Sequence, residues 1–312
     1  MTSLSAPAST HFRQTRTLAL IGLCVLLVLA VFGSADASAA KNKRIVALTP
    51  FSANAMGMLG VTPVGVGDVL TDNTRAAYVP LISNGLANGK IKQLPLSHPN
   101  GPNLEQLAKL RPKLVYTSPQ WSKGSSAMRS LRITVKKSEP TTLGGVYSQM
   151  KSIARNVNKQ KKANRLVRQM RAQVKKAIPV GAARSNKKVM VILGVGRTPF
   201  TFLGNSWGGS VAKMAGGSLQ TGGATSGSGF ARISDEVVIA SQPEVIIAVP
   251  HASKGDIPEL KEFMRNNPAW ASTPAIENDD IFVSTDNSLL QAGVNPGQVI
   301  KRVRGWLDQA GN

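Results

Sequence analysis

The sequence predicts an α/β protein, two Rossmann-like α/β lobes joined by a single long connecting helix, behind an N-terminal export signal. Three observations carry this expectation. Short β-rich apolar runs bounded by proline or glycine alternate with helical stretches in both halves of the chain, the grammar of a parallel sheet. Between the halves, one apolar stripe persists at helical spacing from Val146 to Ile178. The first forty residues carry a basic start, an apolar run and a small-residue cleavage site. With 312 residues, 42% of them hydrophobic, the chain can bury a large core, and its length suggests about two domains.

The signal comes first. Arg13 and Arg16 precede the uncharged run Leu18 to Phe32, and Ala37-Ser38-Ala39 follows, with Ala35-Asp36-Ala37 as an alternative cleavage site. The run is shorter than the roughly 20 residues that a spanning helix needs, so residues 1–39 read as a signal peptide, with a retained anchor as the alternative. Cys24, the single cysteine, lies inside the run between Leu23 and Val25-Leu26-Leu27, which is not the setting of a lipoprotein signal. The mature chain then has no disulfide, and a core of this size needs none.

The first lobe, residues 40–142, opens with the strand Ile45–Leu48, ended by Thr49-Pro50. A helix over Ala53–Leu59 stops at Gly60, and Val61–Val66 reads as a strand interrupted by Pro63. Leu104–Leu110 reads as a helix capped by Asn103 and ended by Arg111-Pro112. Strands follow at Leu114–Thr117 and Ile133–Val135. The connecting helix, residues 143–178, starts at the cap Thr142 and ends at Pro179 and Gly181; it would extend about 54 Å. Val146, Met150, Ile153 and Val157, then Val167, Met170, Val174 and Ile178, form its apolar stripe. Its other face holds Lys151, Arg155, Lys159, Lys161, Lys162, Arg165, Arg168, Arg171 and Lys175, a pattern that ordinarily marks a solvated surface.

The second lobe, residues 179–312, repeats the grammar: strands at Lys188–Leu193, Val245–Val249 and Ile281–Val283, short helices around Val211–Ala215 and Val237–Ala240, and a closing amphipathic helix over Gly297–Ala310. Gly216 to Gly229 is rich in Gly, Ser and Thr and reads as a mobile loop.

Lys and Arg number 38 against 16 Asp and Glu, a formal charge of +22. Removing residues 1–39 deletes Arg13, Arg16 and Asp36, leaving (38 − 2) − (16 − 1) = +21. No acid occurs between Glu139 and Asp235. Such a charge suits non-specific binding of nucleic acid or an anionic wall polymer. No aromatic residues interleave the basic stripe as they do in single-strand binders, so no specific nucleic-acid partner is expected.

Gly204-Asn205-Ser206-Trp207-Gly208 matches the G-x-S-x-G nucleophile elbow, with Asp235 and His251 in hydrolase order. Gly208-Gly209 delay the helix that the elbow requires, which argues against catalysis. The mature chain has two histidines, His98 and His251, and no cysteine, too few for a histidine- or thiolate-rich metal site. Tyr78, Tyr116, His98 and His251 are the available haem ligands, and none is singled out. No cofactor is expected. In parallel sheets ligands sit beyond the carboxyl ends of the strands. The residues there are Phe51 and Ser52 after the first strand, Trp121 after the Leu114 strand, Arg197 and Phe200 after the Lys188 strand, and Asp286 after the last; Tyr78, Phe230 and Arg232 join them. Aromatics supply stiff contact area, and arginine pairs with anionic oxygens. The alternative for Phe51 and Phe200 is ordinary core packing.

Four segments in order carry a family likeness: "RIVALTPFSANAMGMLGVTPVGVGD" from Arg44, "PNLEQLAKLRPKLVYTS" from Pro102, "ARISDEVVIASQPEVIIAV" from Ala231 and "NNPAWASTPAIENDDIFV" from Asn266. Together with the helix they span nearly the whole mature chain. It resembles the periplasmic binding proteins of the iron-siderophore, haem and cobalamin class, the receptors of ABC importers. The resemblance implies an exported monomer, periplasmic or on the cell surface. It would hold a ferric siderophore or similar bulky metal chelate between its lobes, with cobalamin or haem as alternatives, and perform no chemistry. It also implies an ABC permease as partner, met by one glutamate on each lobe. By position these are Glu105 and Glu236, which could otherwise be ordinary surface residues.

Overall fold

The computed structural model describes residues 44–68, 78–97, 100–179, 181, 184–194, 199–250 and 256–311. The buried triplet Ile45–Ala47 forms β1, and Thr49 caps the helix behind it, α1 (Pro50–Leu59), accepting the Ser52 amide at 3.3 Å. Pro50 takes the first helical position, where a missing N–H costs nothing. The helix therefore begins three residues before the expected start, and Pro50-Phe51-Ser52 is its first turn rather than a loop tip. At its far end Gly60 adopts the left-handed conformation, φ +78°.

The first lobe continues through β2 (Gly65–Asp68), α2 (Pro80–Ala87), β3 (Lys92–Ser97), β4 (Gly101–Pro102), α3 (Leu104–Lys109), β5 (Leu114–Thr117), α4 (Ser122–Ser130) and β6 (Thr134–Lys137). The sheet order is β4-β3-β2-β1-β5-β6, parallel except for the antiparallel β3–β4 edge. Asn103 caps α3 as its position implies, accepting from the Gln106 amide at 3.0 Å.

The connector is two helices, α5 (Leu143–Asn156) and α6 (Gln160–Ala177), where the apolar stripe predicted one. Thr142 caps the first, its side chain accepting the Gly145 amide at 3.1 Å. At the break Asn158 lies at φ +55°, and the Lys159 amide donates back to the Ala154 carbonyl at 2.9 Å. That is the Schellman closure, with asparagine in the position that usually belongs to glycine. The apolar spacing survives the break, so periodicity alone could not reveal it.

The second lobe comprises β7 (Lys188–Gly194), β8 (Phe200–Phe202), α7 (Trp207–Met214), β9 (Ser218–Leu219), β10 (Phe230–Arg232), α8 (Asp235–Ser241), β11 (Val245–Pro250), α9 (Asp256–Arg265), a 3-10 turn at Pro268–Trp270, α10 (Pro274–Glu277), β12 (Ile281–Val283) and α11 (Pro296–Gln309). Its sheet runs β10-β8-β7-β11-β12, with β9 beside β7; β7, β11 and β12 are parallel, and β8 is antiparallel to both of its neighbours, β7 and β10. The segment 216–229 is tied down at several points: Gln220 N donates to Val189 O at 2.8 Å, Asn205 Nδ2 to Ser226 O at 2.8 Å and Leu203 N to Gly229 O at 2.9 Å.

Alternation along the strands sorts the core into faces. Ile45 and Ala47 point to the connector side, Val46 and Leu48 to the other, where they meet Leu107, Val115 and Trp121. In the second sheet Val189 and Val191 face the connector, and Met190 and Ile192 face Val238, Met264 and Trp270. The connector-side core is continuous from one lobe to the other through Val146, Met150, Ile153, Leu166, Val167 and Met170. Helix α11 lies close against α6. A Cβ on Gly297 would stand 2.7 Å from the Gln173 carbonyl carbon, so only glycine permits this approach.

Candidate ligand-binding site

At the carboxyl ends of the first sheet, hydroxyl residues follow the apolar strands and are buried: Thr49, Ser52, Thr117, Ser118 and Ser138. Thr49 Oγ1 donates to Ser138 O at 2.6 Å and lies 2.8 Å from Ser52 Oγ, which donates to Thr49 O at 2.9 Å. Ser118 donates to the Glu139 carboxylate and accepts the Gln120 amide at 3.1 Å. Thr117 Oγ1 and Ser138 Oγ are buried with no protein partner, an uncommon state for interior hydroxyls. Apart from Ser52, this row was not singled out from the sequence. Its signal is a Ser or Thr behind four of the strands, Thr49 two residues after the end of β1 and Ser118, Ser138 and Ser284 directly after β5, β6 and β12.

In the second lobe, Leu193 near the end of β7 pairs with Phe200, and Phe200 pairs in turn with Arg232. The exposed Arg232 guanidinium stands over the half-buried Phe200 ring, 5.7 Å from its centroid. Phe230 packs edge-on against Phe202 at 4.8 Å. The structure thus brings Phe200, Phe230 and Arg232 together at the carboxyl edge of this sheet, as an arginine on an aromatic base.

Other expected site residues are placed differently. Phe51 is 2% exposed and belongs to the connector-side core, because helix α1 starts at Pro50 and turns the ring inward; the expectation of an exposed rim aromatic is corrected. Ser52 is fully buried and its hydroxyl serves Thr49. Trp121, expected beside solvent, is 5% exposed and packs in the outer core next to Gly101. Tyr78 is buried, its hydroxyl 3.4 Å from Gly67 O. Tyr116 is also buried and accepts from Asn156 Nδ2 at 2.7 Å; burial pushes its hydroxyl up to about 12. It ties β5 to the end of α5. Asp286 is held by both terminal nitrogens of Arg302 at 3.0 Å. Burial raises the pKa of its carboxyl, and the bonds to Arg302 and Ser288 outweigh that, so the net shift is downward. Arg197, His98 and His251 lie outside the described residues.

The hydrolase-like motif resolves into a helix cap: α7 starts at Trp207, directly after Ser206, so the delay expected at Gly208-Gly209 is corrected, and the serine serves the helix. Ser206 is buried, donates to Leu203 O at 2.6 Å and accepts the Gly209 amide at 3.1 Å. Asp235 accepts from Trp270 Nε1 at 2.7 Å. Among the described residues, no three His, Cys, Asp or Glu gather as a metal site.

Glu105 and Glu236 are both exposed, in the first turns of α3 and α8. These helices cover the sheet faces opposite the connector. Glu105 pairs with Lys109 at 2.7 Å. A hydrogen bond from Ser234 holds the Glu236 carboxyl below its ordinary pKa. A cavity of about 590 Å³ opens beside Glu236, with Asp235, Glu259 and Glu262 around Phe263 and Trp270. Three carboxylates suit it to basic groups rather than to an anionic chelate.

The "Periplasmic binding protein" family model matches residues 45–287. The chain is 24% identical to the Fe(3+)-citrate-binding protein YfmC of Bacillus subtilis over 247 residues, 77% of this chain and 72% of the relative. An ABC transporter substrate-binding protein from Listeria monocytogenes shares the fold at a TM-score of 0.72 and 17% identity, covering 85% of this chain and 98% of that one. The siderophore-binding protein BauB, solved with ferric iron and two acinetobactin molecules, shares it at 0.65 and 18% identity, over 85% and 92%.

Proposed function

The chain belongs to the periplasmic binding protein family, and on that premise we propose that it captures a ferric siderophore or a similar bulky iron chelate and hands it to an ABC permease. The observation that carries the ligand class is Arg232 standing over Phe200 at the carboxyl edge of the second sheet. A guanidinium over an aromatic ring offers donors to carboxylate or catecholate oxygens and a flat surface to the chelate. The iron arrives inside its chelate as cargo, and the protein performs no chemistry on it. The Fe(3+)-citrate-binding relative supports this choice. Haem-binding periplasmic proteins share the fold too, so haem and cobalamin are the competing ligands.

The family is an extracytoplasmic one, which fits export by residues 1–39. Glu105 and Glu236 are the proposed contacts to permease arginines. Both are exposed on the outer faces, and the carboxylate-lined cavity beside Glu236 adds acid to a patch of an otherwise basic chain.

Tryptophan fluorescence of the mature chain, titrated with ferric citrate, a ferric catecholate siderophore, haem and cobalamin, tests the reading. A ferric chelate should saturate in the sub-micromolar range, and Arg232→Ala should weaken it by about tenfold, the effect of one charge-assisted contact. Saturation by haem or cobalamin alone would overturn the iron-chelate assignment.

A further inference from the structure

Helix α6 buries Ala163, Leu166, Val167, Met170 and Ala177. Away from that stripe on the helical wheel stand Lys161, Arg165, Arg168, Lys175 and Lys176, with Arg171 on its flank. All six are exposed. Among the described residues none of them forms an ion pair. Lys161 and Arg165, Arg165 and Arg168, Arg168 and Arg171, and Arg171 and Lys175 are three or four apart, spacings at which like charges repel. No acid lies between Glu139 and Asp235 to offset that repulsion within the segment.

From this unneutralised ridge we infer that the connector is a docking surface for a linear phosphodiester polymer of the cell envelope, the inference taking from the proposed function only its extracytoplasmic setting. The ridge runs about 23 Å along a convex cylinder, a shape that a flexible chain can follow and a flat bilayer meets along one row. Interfacial helices insert an apolar face; here that face is in the core, and the exposed large apolar residues, Leu81, Leu131 and Phe263, lie elsewhere. Nucleic-acid readout would need stacking aromatics. The aromatic beside the ridge, Tyr147, already lies under Arg171 at 5.0 Å. The ridge lies on the connector side, whereas Glu105 and Glu236 lie on the outer helices. Polymer bound at the ridge leaves the outer faces open.

The test compares the mature chain with K161Q/R165Q/R168Q/K175Q and with a control of equal charge change on exposed first-lobe positions, K90Q/K113Q/K123Q/R129Q. Binding of poly(glycerol phosphate), phosphatidylglycerol vesicles and duplex DNA is measured across a salt series. The ridge variant should bind the polymer at least about tenfold more weakly, with the slope of log affinity against log salt reduced by about 3, the release expected for four lost phosphate contacts. The control should stay within about twofold of the parent chain, a change too small to mark a specific contact. Removing like-charge neighbours should leave the melting temperature unchanged or higher, so a loss of binding is not a loss of fold. Equal losses in both variants would reduce the effect to net charge and overturn the inference. So would vesicles or DNA binding more tightly than the polymer through the same four residues. Ferric-chelate binding should be the same in all three proteins; failure there would count against the proposed function and not against the ridge.

Discussion

Phe51 illustrates how a residue can change role without changing place in the chain. It follows the first strand, where a ligand loop is expected, but Thr49 and Pro50 start the helix early and the ring enters the core. Phe51→Ala should therefore cost about 3–5 kcal/mol of stability, read by urea unfolding, with ligand affinity of the folded fraction unchanged. Lost affinity at unchanged stability would return the ring to a ligand site. The difference has a local cause: the cap is Thr49, the residue before the proline, so the helix starts ahead of the expected Ala53. Asp286 makes a second case. Its position after the last strand was legible, but its partner Arg302, sixteen residues later on α11, was not. The folded carboxyl titrates below its ordinary value of 3.8. Its stabilisation is thus fully present above that value and is lost as the pH falls through the folded pKa. Asp286→Asn should lower the melting temperature at pH 6 and leave a shallower acid limb below pH 4 than the parent chain shows.

At the scale of elements, type and order were legible and breaks were not. Asn103 and Thr142 cap their helices as read, because a cap is written in two or three adjacent residues. The connector's break is hidden because Val157 and Val167 keep the apolar stripe in phase on both sides. What betrays it is Asn158, a residue that tolerates the left-handed region, inside the short run Asn156 to Lys159. The sign of one substitution separates the two architectures. In a continuous helix Asn158→Ala should stabilise by about 0.5 kcal/mol, since alanine is the better helix former. In the broken connector it should destabilise by about 1 kcal/mol, since a Cβ without a polar group pays the left-handed penalty. We expect destabilisation, with Asn158→Gly close to the parent chain, both by urea unfolding.

Across the whole molecule the two lobes share one core rather than meeting at a linker. α5 packs against α1 of the first lobe and α6 against α11 of the second, and the apolar residues between them join without interruption. Wide hinge opening would pull that core apart and expose apolar area at about 25 cal/mol per Å². The break at Asn158 falls where the connector passes from one lobe to the other, the one place a small bend could be absorbed without cutting the core. Ligand capture should therefore proceed by a slight tilt. Small-angle scattering should give a radius of gyration of about 18 Å for the mature chain, changing by less than about 0.5 Å when a ferric chelate is added to saturation. A compaction of several ångströms would mean that the shared core separates in the free protein, and the connector would then have to act as an open hinge rather than a stiff frame.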